Sequence, residues 1–475
     1  MVQAVIIAAG KGNRLRKENG RLPKPLYSVA GLPIIERVIL SAKKAGISEF
    51  VIVIGWAGER IQRWLEGRQK KLGVRLQFVV NPEWERANGF SLLKAKDHLR
   101  DDFVLLMSDH IFDWKILENL LKRPPAPDEM TLGVDRRLEE IFDETDATKV
   151  RTEGDRIRVI GKEIGPYDAI DTGLFYCSPL FLKAVEKSCR EGNGSISEAV
   201  QAMAAEGKGK IFDIGNRYWQ DVDTPEALKE AERILFQAAR KPATDGFVSS
   251  LLNRKISGVI SRMLIRLPVT PNQITFSSFL IGLLSSFLIS RADYPSVALG
   301  GLLFQFASIY DGCDGEVAKI KMAQSKLGEW MDTVSDNLTY LAFFGGVLIA
   351  SLRQGIFPHT VSVGISALTG IVLSMFVMAF YLIRYTTSGS FVTVQQDLTS
   401  DIKNRQQPSL GRLFMSLKFL VKRDFFAFLF MILCLFNKPH WILVFWAIGA
   451  NALWLTLLFL KKEFTRARTT LQPQD

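Results

Sequence analysis

Apolar residues are distributed in two different ways along this chain of 475 residues. In residues 1–240, short apolar runs such as 5–9, 50–55 and 103–107 alternate with charged segments. Runs of this length are typical of buried strands, and their alternation with helical segments predicts an α/β sheet. Residues 267–460 instead contain long stretches without formal charge. The pattern therefore predicts an α/β domain followed by an all-α membrane domain.

The second half contains several candidate membrane helices, and a membrane-spanning helix needs about 20 apolar residues. The candidates are residues 267–290, 294–310, 337–352, 354–383, 425–437 and 439–460. The fifth is short and must extend upstream. We therefore expect about six transmembrane helices.

The segment before the first candidate span mixes apolar residues with four cations. These are Arg254, Lys255, Arg262 and Arg266. Such a mixture predicts an amphipathic helix in the membrane interface, and a cytosolic linker helix is the alternative. The expected domains are therefore residues 1–235, a linker with this helix at 236–266, and a membrane domain at 267–475.

The net charge of +11 does not indicate nucleic-acid binding, because much of the basic excess flanks the apolar segments. Residues 384–424 and the tail after Leu460 are rich in Lys and Arg, whereas the opposite loops hold only Arg291, Arg353 and Lys438. This asymmetry places the N-terminal domain on the cytoplasmic side of the cell membrane. The four cysteines have no spacing typical of a disulfide framework or a zinc site.

Four aspartates stand where two adjacent spans meet. Asp311 and Asp314 are three residues apart, and Asp332 and Asp336 are four apart, so each pair shares one helix face. Converging carboxylates repel unless cations lie between them, and oxygen ligands suit magnesium, manganese or calcium. Two such ions beside a diphosphate are a known arrangement for phosphoryl transfer. The alternative is a set of solvated helix ends, but ionisable residues at membrane depth are usually functional.

The run resembles the motif of CDP-alcohol phosphotransferases, D-x2-D-G-x2-A-R-x8-G-x3-D-x3-D. Every fixed position matches except one, where Lys319 replaces an arginine and loses its bidentate phosphate recognition. The resemblance implies that Asp336 is the general base that deprotonates the attacking hydroxyl. The resemblance also implies that metals are bound by Asp311, Asp314, Asp332 and Asp336. It implies that the CDP moiety is bound by Asp311, Gly315, Ala318, Lys319 and Gly328.

A glycine-rich turn follows the first apolar run, and its backbone amides could hold phosphates. The spacing is not the G-x-G-x-x-G of a dinucleotide site. With the following P-K-P-L segment, it resembles the motif of the sugar-phosphate nucleotidyltransferases, A-A-G-x-G-x-R-L. The resemblance implies the α/β nucleotidyltransferase fold, which is a Rossmann-like mixed sheet. The resemblance implies that Arg14 and Lys24 are catalytic and stabilise charge on the α-phosphate. The nucleotide-binding positions that it implies in this turn are Ala8, Ala9, Gly10 and Gly12.

Further segments match this family in the expected order. Asn88 and Ser91 lie in a segment that resembles the one contacting the substrate or base, and residues 171–173 resemble the acceptor-side strand. Asp109 ends a strand; the resemblance implies that it is a magnesium ligand, and an ordinary strand-end aspartate is the alternative. For the second ligand the resemblance leaves Asp223 and Asp221, and we favour Asp223.

Two other kinds of residue give weaker signals in this half. Lys162 is a candidate phosphate contact, with a solvated surface charge as an equal alternative. The four histidines (His98, His110, His359 and His440) show no ligand spacing and are assigned no role.

The two halves fit together if the product of the first is the substrate of the second, which makes the nucleotide CTP. The combination resembles the bifunctional inositol-1-phosphate cytidylyltransferase/di-myo-inositol-phosphate-phosphate synthase family of heat-loving organisms, which makes a compatible-solute precursor. The resemblance implies CTP and inositol 1-phosphate as substrates, Mg²⁺ (or Mn²⁺) as cofactor, the lipid bilayer as surroundings, and a homodimer through the membrane domain. Arg384, Lys422 and Arg423 could hold the acceptor phosphate; membrane topology alone explains them equally well.

Two other functions remain open from the sequence. One is a phospholipid synthase with a fused cytidylyltransferase and a lipid or glycerol-type acceptor. The other is a membrane-tethered, non-catalytic nucleotide sensor, which the complete set of aspartates and the intact turn with Lys24 argue against.

Overall fold

The computed structural model describes residues 2–12, 14–15, 22–240, 248–385 and 423–469. The chain divides into two compact units, Met1–Gln237 and Ala238–Asp475. The first unit is an α/β domain and the second is helical, so the predicted fold class is confirmed.

The first unit is built around a mixed sheet. The strands of the described residues are β1 (Gln3–Ala8), β2 (Ser28–Val29), β3 (Leu32–Pro33), β4 (Glu49–Ile54), β5 (Arg75–Val80), β6 (Phe103–Met107), β7 (His110–Phe112), β8 (Met130–Asp135), β9 (Lys149–Glu153), β10 (Arg156–Gly161), β11 (Ala169–Cys177), β12 (Gly209–Asp213) and β13 (Trp219–Asp221). Nine of them form the main sheet, in the order β5-β4-β1-β6-β11-β8-β12-β10-β9. Apolar residues of the central strands, such as Val5, Val51 and Leu105, are almost fully buried.

Helices cover the sheet and connect its strands. They are α1 (Ile34–Lys44), α2 (Gly58–Glu66), α3 (Gln69–Leu72), α4 (Asn88–Lys94), α5 (Trp114–Leu121), α6 (Pro179–Glu191), α7 (Ile196–Ala205) and α8 (Pro225–Ala239). These helices carry charged residues on their outer faces and apolar residues on their inner faces, as expected for helices that cover a sheet around one core.

The sheet brings three segments to one edge. β1 runs parallel to β6 with Ile7 opposite Met107, so the residues that follow these two strands leave the sheet side by side. β11 runs antiparallel to β6 with Leu174 opposite Leu106, which brings the start of β11 to the same edge. The short strand β13 pairs with β7 and adds a fourth segment there.

The second unit is helical in all its described elements. Its helices are α9 (Arg254–Arg266), α10 (Pro271–Ser290), α11 (Tyr294–Ile320), α12 (Lys326–Gln354), α13 (Thr360–Tyr385), α14 (Arg423–Leu435) and α15 (Pro439–Thr469). Among the described residues, three helical segments are long and apolar enough to cross a membrane: Pro271–Ser290, Lys326–Gln354 and Thr360–Val377. Two further apolar helical segments, Asp424–Leu435 and Pro439–Leu455, are shorter. The count of six spans stays a prediction.

Small residues let these helices approach closely. A Cβ atom added to Gly346 of α12 would lie 2.4 Å from the carbonyl oxygen of Ser286 on α10. The neighbouring Gly345 has no atom within 4 Å of such a Cβ. Ser286 also donates a hydrogen bond to the carbonyl oxygen of Ala342. Close backbone contact through small residues is a common way for helices to associate in lipid.

Helix α9 buries polar residues and exposes apolar ones. Ser257 and Ser261 are buried, whereas Val259 and Met263 are 59% and 66% exposed. Lys255 is exposed on the same helix as well. The exposed surface of α9 therefore carries both cationic and apolar side chains, and its expected position in the membrane interface stays a prediction.

Candidate active sites

The first site forms where β1 ends and the glycine-rich turn begins. Gly12 has a φ of +62°, and a Cβ atom there would lie 2.6 Å from Cβ of Lys24. Glycine is needed because it accepts this φ and leaves room for the lysine. Lys24 itself is only 8% exposed. The turn therefore holds a buried cation against the edge of the sheet.

Lys24 and Arg14 meet the predicted carboxylates. Lys24 Nζ lies 2.6 Å from Asp109 Oδ2 and also contacts Asp223. Arg14 contacts Asp223 and lies 2.5 Å from Asp146 Oδ2. Burial by itself raises the pKa of Asp109, but the adjacent Lys24 and His110 outweigh it and lower this pKa to about 2. Asp109 is therefore ionised at neutral pH.

A second group at this edge consists of Asp109, His110 and Asp221. One ligand atom from each lies within 4.8 Å of the other two. Asp221 Oδ1 is buried and has no hydrogen-bond partner among the described residues. Burial raises the pKa of Asp221, although His110 acts in the opposite direction. An unpaired carboxylate oxygen beside a second carboxylate suits a divalent cation.

The sequence favours Asp223 over Asp221 as the second metal ligand, and the structure gives the two residues different neighbours. Asp223 contacts the cations Lys24 and Arg14, whereas Asp221 faces Asp109 and His110. Sequence reasoning assigned no role to His110. The pairing of Asp221 with His110 across β13 and β7 brings it into the site.

The remaining predicted residues of this half have two kinds of contact: hydrogen bonds within the fold, and an ion pair near Arg14. Asn88 begins α4, and its Oδ1 accepts a hydrogen bond from the backbone of Ile196 at 2.9 Å. The buried Ser91 accepts one from Asn81 Nδ2 at 3.0 Å. These contacts are with the protein itself. Lys162 Nζ lies 2.7 Å from Asp146 Oδ1, and Asp146 also binds Arg14. Lys162 is therefore linked to Arg14 through one carboxylate.

The second site forms where α11 ends and α12 begins. Carboxylate oxygens of Asp311, Asp314 and Asp332 lie within 4.8 Å of one another. Asp336 follows Asp332 by one turn of α12. Three carboxylates at this distance repel each other, and their oxygen donors fit a hard divalent cation. The structure thus brings together three of the four aspartates as the spacing predicts.

Hydrogen bonds hold this carboxylate group in place. Thr275 of α10 donates through Oγ1 to Asp314 Oδ2 at 2.5 Å, and the backbone of Gly315 also contacts this aspartate. No atom lies within 4 Å of a Cβ added to Gly315. Gly328 is more crowded, because such a Cβ would lie 3.3 Å from Asn272 Oδ1. Gly315 therefore leaves open space beside the carboxylates, whereas Gly328 packs closely against its neighbours.

Lys319 and Ala318 have contacts within the second unit. Lys319 Nζ donates to the carbonyl oxygen of Ala239 at 2.5 Å. The carbonyl of Ala318 accepts from the backbone of Ala323 at 2.8 Å. Their expected contact with the nucleotide stays a prediction. Three other predicted phosphate contacts cannot be placed: Lys422 lies outside the described residues, and so do the side chains of Arg384 and Arg423.

Sequence reasoning missed Glu316, which is 4% exposed on α11. Its carboxylate accepts hydrogen bonds from Arg254 Nη1 at 2.9 Å, Ser257 Oγ at 3.1 Å and Ser261 Oγ at 2.7 Å. All three donors belong to α9. The only signal in the sequence is an acidic residue in a span that follows a helix with hydroxyls and an arginine. Glu316 fixes α9 against the helix that carries Asp311 and Asp314.

Known protein families match both halves of the chain. The family described as MobA-like NTP transferase domain matches residues 4–140, and the CDP-alcohol phosphatidyltransferase family matches residues 268–460. The chain is therefore an enzyme with a nucleotidyltransferase domain and a membrane-bound CDP-alcohol phosphotransferase domain.

Similar proteins carry both halves. The bifunctional IPC transferase and DIPP synthase of Archaeoglobus fulgidus is 33% identical over 447 residues, which cover 94% of this chain and 81% of that protein. The protein of the same name from Aquifex aeolicus is 35% identical over 344 residues, covering 72% and 76%. The solved inositol-1-phosphate CTP transferase from T. maritima has 28% identity and a TM-score of 0.45, and covers 49% of this chain and 96% of that one. This chain belongs to the family of bifunctional IPC transferases and DIPP synthases.

Proposed function

We propose that this protein joins two inositol 1-phosphate molecules in two steps. The first unit makes CDP-inositol and pyrophosphate from CTP and inositol 1-phosphate. The second unit transfers the phosphoinositol group to another inositol 1-phosphate, giving phosphorylated di-myo-inositol phosphate and CMP. The observation that carries this proposal is that one chain contains both the Lys24–Asp109 site and the Asp311–Asp314–Asp332 group. The names of the similar proteins support the choice of substrates.

In the first step, a phosphate oxygen of inositol 1-phosphate attacks the α-phosphorus of CTP, and the bond to pyrophosphate breaks. Lys24 and Arg14 stabilise the negative charge that increases on the α-phosphate. The backbone around Gly10 and Gly12 binds the phosphates. Asp109 and a carboxylate of the 221–223 segment would hold Mg²⁺, which when bound would neutralise charge on the triphosphate.

In the second step, a hydroxyl of the acceptor attacks the phosphorus attached to inositol, and CMP leaves. Asp336 takes the proton of the attacking hydroxyl. Asp311, Asp314 and Asp332 would hold the divalent cations, which when bound would neutralise the charge of the diphosphate. The acidic group and its hydrogen bond from Thr275 support this assignment. Lys319 and the basic residues Arg384, Lys422 and Arg423 bind phosphate groups.

The surroundings of the protein are part of the proposal. The second unit crosses the cell membrane about six times, and both active sites face the cytoplasm, where CTP is available. The distribution of Lys and Arg between the loops supports this orientation. The exposed apolar residues of α9 support a helix that lies in the interface. Two copies pair through the membrane domain.

Two variants separate the steps. Lys24→Ala should abolish CDP-inositol formation but still convert supplied CDP-inositol, because its membrane unit is unchanged. Asp336→Asn should accumulate CDP-inositol and release no CMP. The measurement is chromatography of radiolabelled inositol compounds, with Lys255→Ala as a surface control that keeps both steps. Loss of the first step in Asp336→Asn would contradict the division of the chain.

The acceptor is tested with the same protein. Purified protein, CTP, Mg²⁺ and labelled inositol 1-phosphate should give a water-soluble di-inositol product. A label that moves into chloroform in the presence of bilayer lipids would instead support the phospholipid synthase. Absence of any CMP release would support a nucleotide sensor.

A further inference from the structure

We propose that His110 is a ligand of the divalent cation in the first site, together with Asp109 and Asp221. The inference rests on the proposed nucleotidyltransferase function of this site and names the protein groups that bind its metal. It makes the first site a mixed nitrogen and oxygen site, unlike the carboxylate group of the second unit.

Distances place the three side chains around one point. His110 Nε2 lies 3.6 Å from Asp109 Oδ1 and 3.9 Å from Asp221 Oδ1. These separations are too long for hydrogen bonds. Two ligands of one ion with bonds of about 2.1 Å are roughly 3.0–3.4 Å apart. A cation would therefore need to draw His110 Nε2 and each of these two oxygens together by less than an ångström.

The other ring nitrogen fixes the tautomer that metal binding needs. His110 Nδ1 lies 2.9 Å from the carbonyl oxygen of Thr172. A carbonyl oxygen only accepts, so Nδ1 carries the proton and Nε2 presents its lone pair to the carboxylates. Metal-binding histidines commonly donate their second nitrogen to a carbonyl in this way. The Trp219 indole N–H also points at Nδ1, at 3.3 Å, and a hydrogen bond there would need the opposite tautomer. The shorter contact with the carbonyl oxygen decides for a protonated Nδ1, and the Trp219 ring packs edge-on against the imidazole.

Gly173 provides the space for the ring. It has a φ of +70°, and a Cβ atom there would lie 2.4 Å from His110 Cε1 and 2.5 Å from Nδ1. Any side chain at position 173 would therefore displace the imidazole. The residues Thr172 and Gly173 thus supply both the orientation and the room that His110 needs.

Lys24 leaves the proposed ligand atoms available. It hydrogen-bonds Asp109 Oδ2, whereas Oδ1 of the same carboxylate is the oxygen nearer His110. Lys24 Nζ lies 3.9 Å from Asp221 Oδ1, beyond hydrogen-bond distance. Asp223 is engaged by Lys24 and Arg14. The cations and the metal would therefore use different carboxylate oxygens of this site.

The donor set predicts a metal preference. An imidazole nitrogen favours Mn²⁺ or Co²⁺ over Mg²⁺ more than carboxylate oxygens do. The ratio of Mn²⁺ affinity to Mg²⁺ affinity should therefore be larger at the first site than at the group of Asp311, Asp314 and Asp332.

The test uses the tag-free full chain in detergent with Mn²⁺ and no nucleotide. Pulsed electron paramagnetic resonance should detect hyperfine coupling between Mn²⁺ and a coordinated imidazole nitrogen. His110→Gln should lose the coupling and bind Mn²⁺ about tenfold more weakly. His98→Gln is the matched control and should keep the coupling, because His98 of the same unit contacts Gln77 instead, with its Nδ1 at 2.8 Å from Gln77 Nε2.

Two results would overturn the inference: no nitrogen coupling in the unaltered protein, or coupling that persists in His110→Gln. A proton on Nε2 would give the first result, because that tautomer has no lone pair on Nε2 for the metal. Labelling histidine with the heavy nitrogen isotope gives the assignment in the unaltered protein if the variant fails to fold. Nitrogen coupling in a protein that makes no CDP-inositol would support His110 as a metal ligand and refute the proposed function. The inference and the proposed function can therefore fail separately.

Discussion

Replacing Glu316 by leucine tests whether α9 stabilises the second active site. The buried carboxylate binds three donors of α9 and lies two residues after Asp314. Leucine has a similar volume but accepts no hydrogen bond. The substitution removes the negatively charged partner of the Arg254 guanidinium, and the Arg254 side chain is only 25% exposed. We therefore expect α9 to separate more easily from α11.

The expected cost follows from the burial of this ion pair. Removing one partner of a buried pair costs about 3–5 kcal/mol, because the other charge stays poorly solvated. For a unit of this size, each kcal/mol shifts the melting temperature by about 2–4 °C. Glu316→Leu should therefore lower the heat tolerance of the second unit by roughly 6–20 °C. Glu316→Gln should have a smaller effect, since its amide oxygen still accepts from the serines.

Each activity reports on its own unit. The full chain in detergent is heated for a fixed time, and both reactions are then measured, with supplied CDP-inositol for the second. The second reaction should be lost at a lower temperature in Glu316→Leu, and the first at an unchanged one. Lys255→Ala is the control because Lys255 is an exposed residue of the same helix. The reasoning fails if Glu316→Leu causes no shift, or if Lys255→Ala causes an equal one.

Three further predictions concern other contacts. Thr275→Val removes the hydrogen bond to Asp314, so the second reaction should need about 10–100-fold more Mg²⁺ for half-maximal rate; an unchanged requirement would exclude this role. Gly346→Ala should reduce the heat tolerance of the second reaction, whereas Gly345→Ala should not, since only the former Cβ meets backbone. Burial raises the pKa of Asp171 to about 6. Its stabilising contribution is therefore present at low pH and lost as pH rises through about 6. In metal-free melting experiments, Asp171→Asn should thus stabilise the first unit more at neutral pH than near pH 4; equal shifts would contradict this.

The features that could be predicted from the sequence depend on short-range geometry. The helical repeat predicts that Asp311 and Asp314 share a face, and the structure brings them together with Asp332. A strand followed by a glycine-rich segment predicts a tight backbone turn near Gly12. The alternation of apolar runs predicts an α/β unit and a helical unit, and both are present.

Contacts between distant segments could not be predicted in this way. His110 meets Asp221 only because β7 and β13 pair in one register, and spacing along the chain carries no information about that register. The contact of Glu316 with Arg254 likewise depends on how two helices pack. The motif of Asn88 and Ser91 resembles a substrate-binding segment, and both side chains also make hydrogen bonds within the protein; their contact with the substrate or base stays a prediction.

The origin of the product phosphates tests the two-step account most directly. If CDP-inositol links the two reactions, both phosphates of the di-inositol product come from inositol 1-phosphate, and the α-phosphate of CTP leaves in CMP. Label on inositol 1-phosphate should therefore appear twice in each product molecule, with one pyrophosphate and one CMP released. Label on the α-phosphate of CTP should appear only in CMP. Its appearance in the di-inositol product, or CMP release without pyrophosphate, would contradict the account.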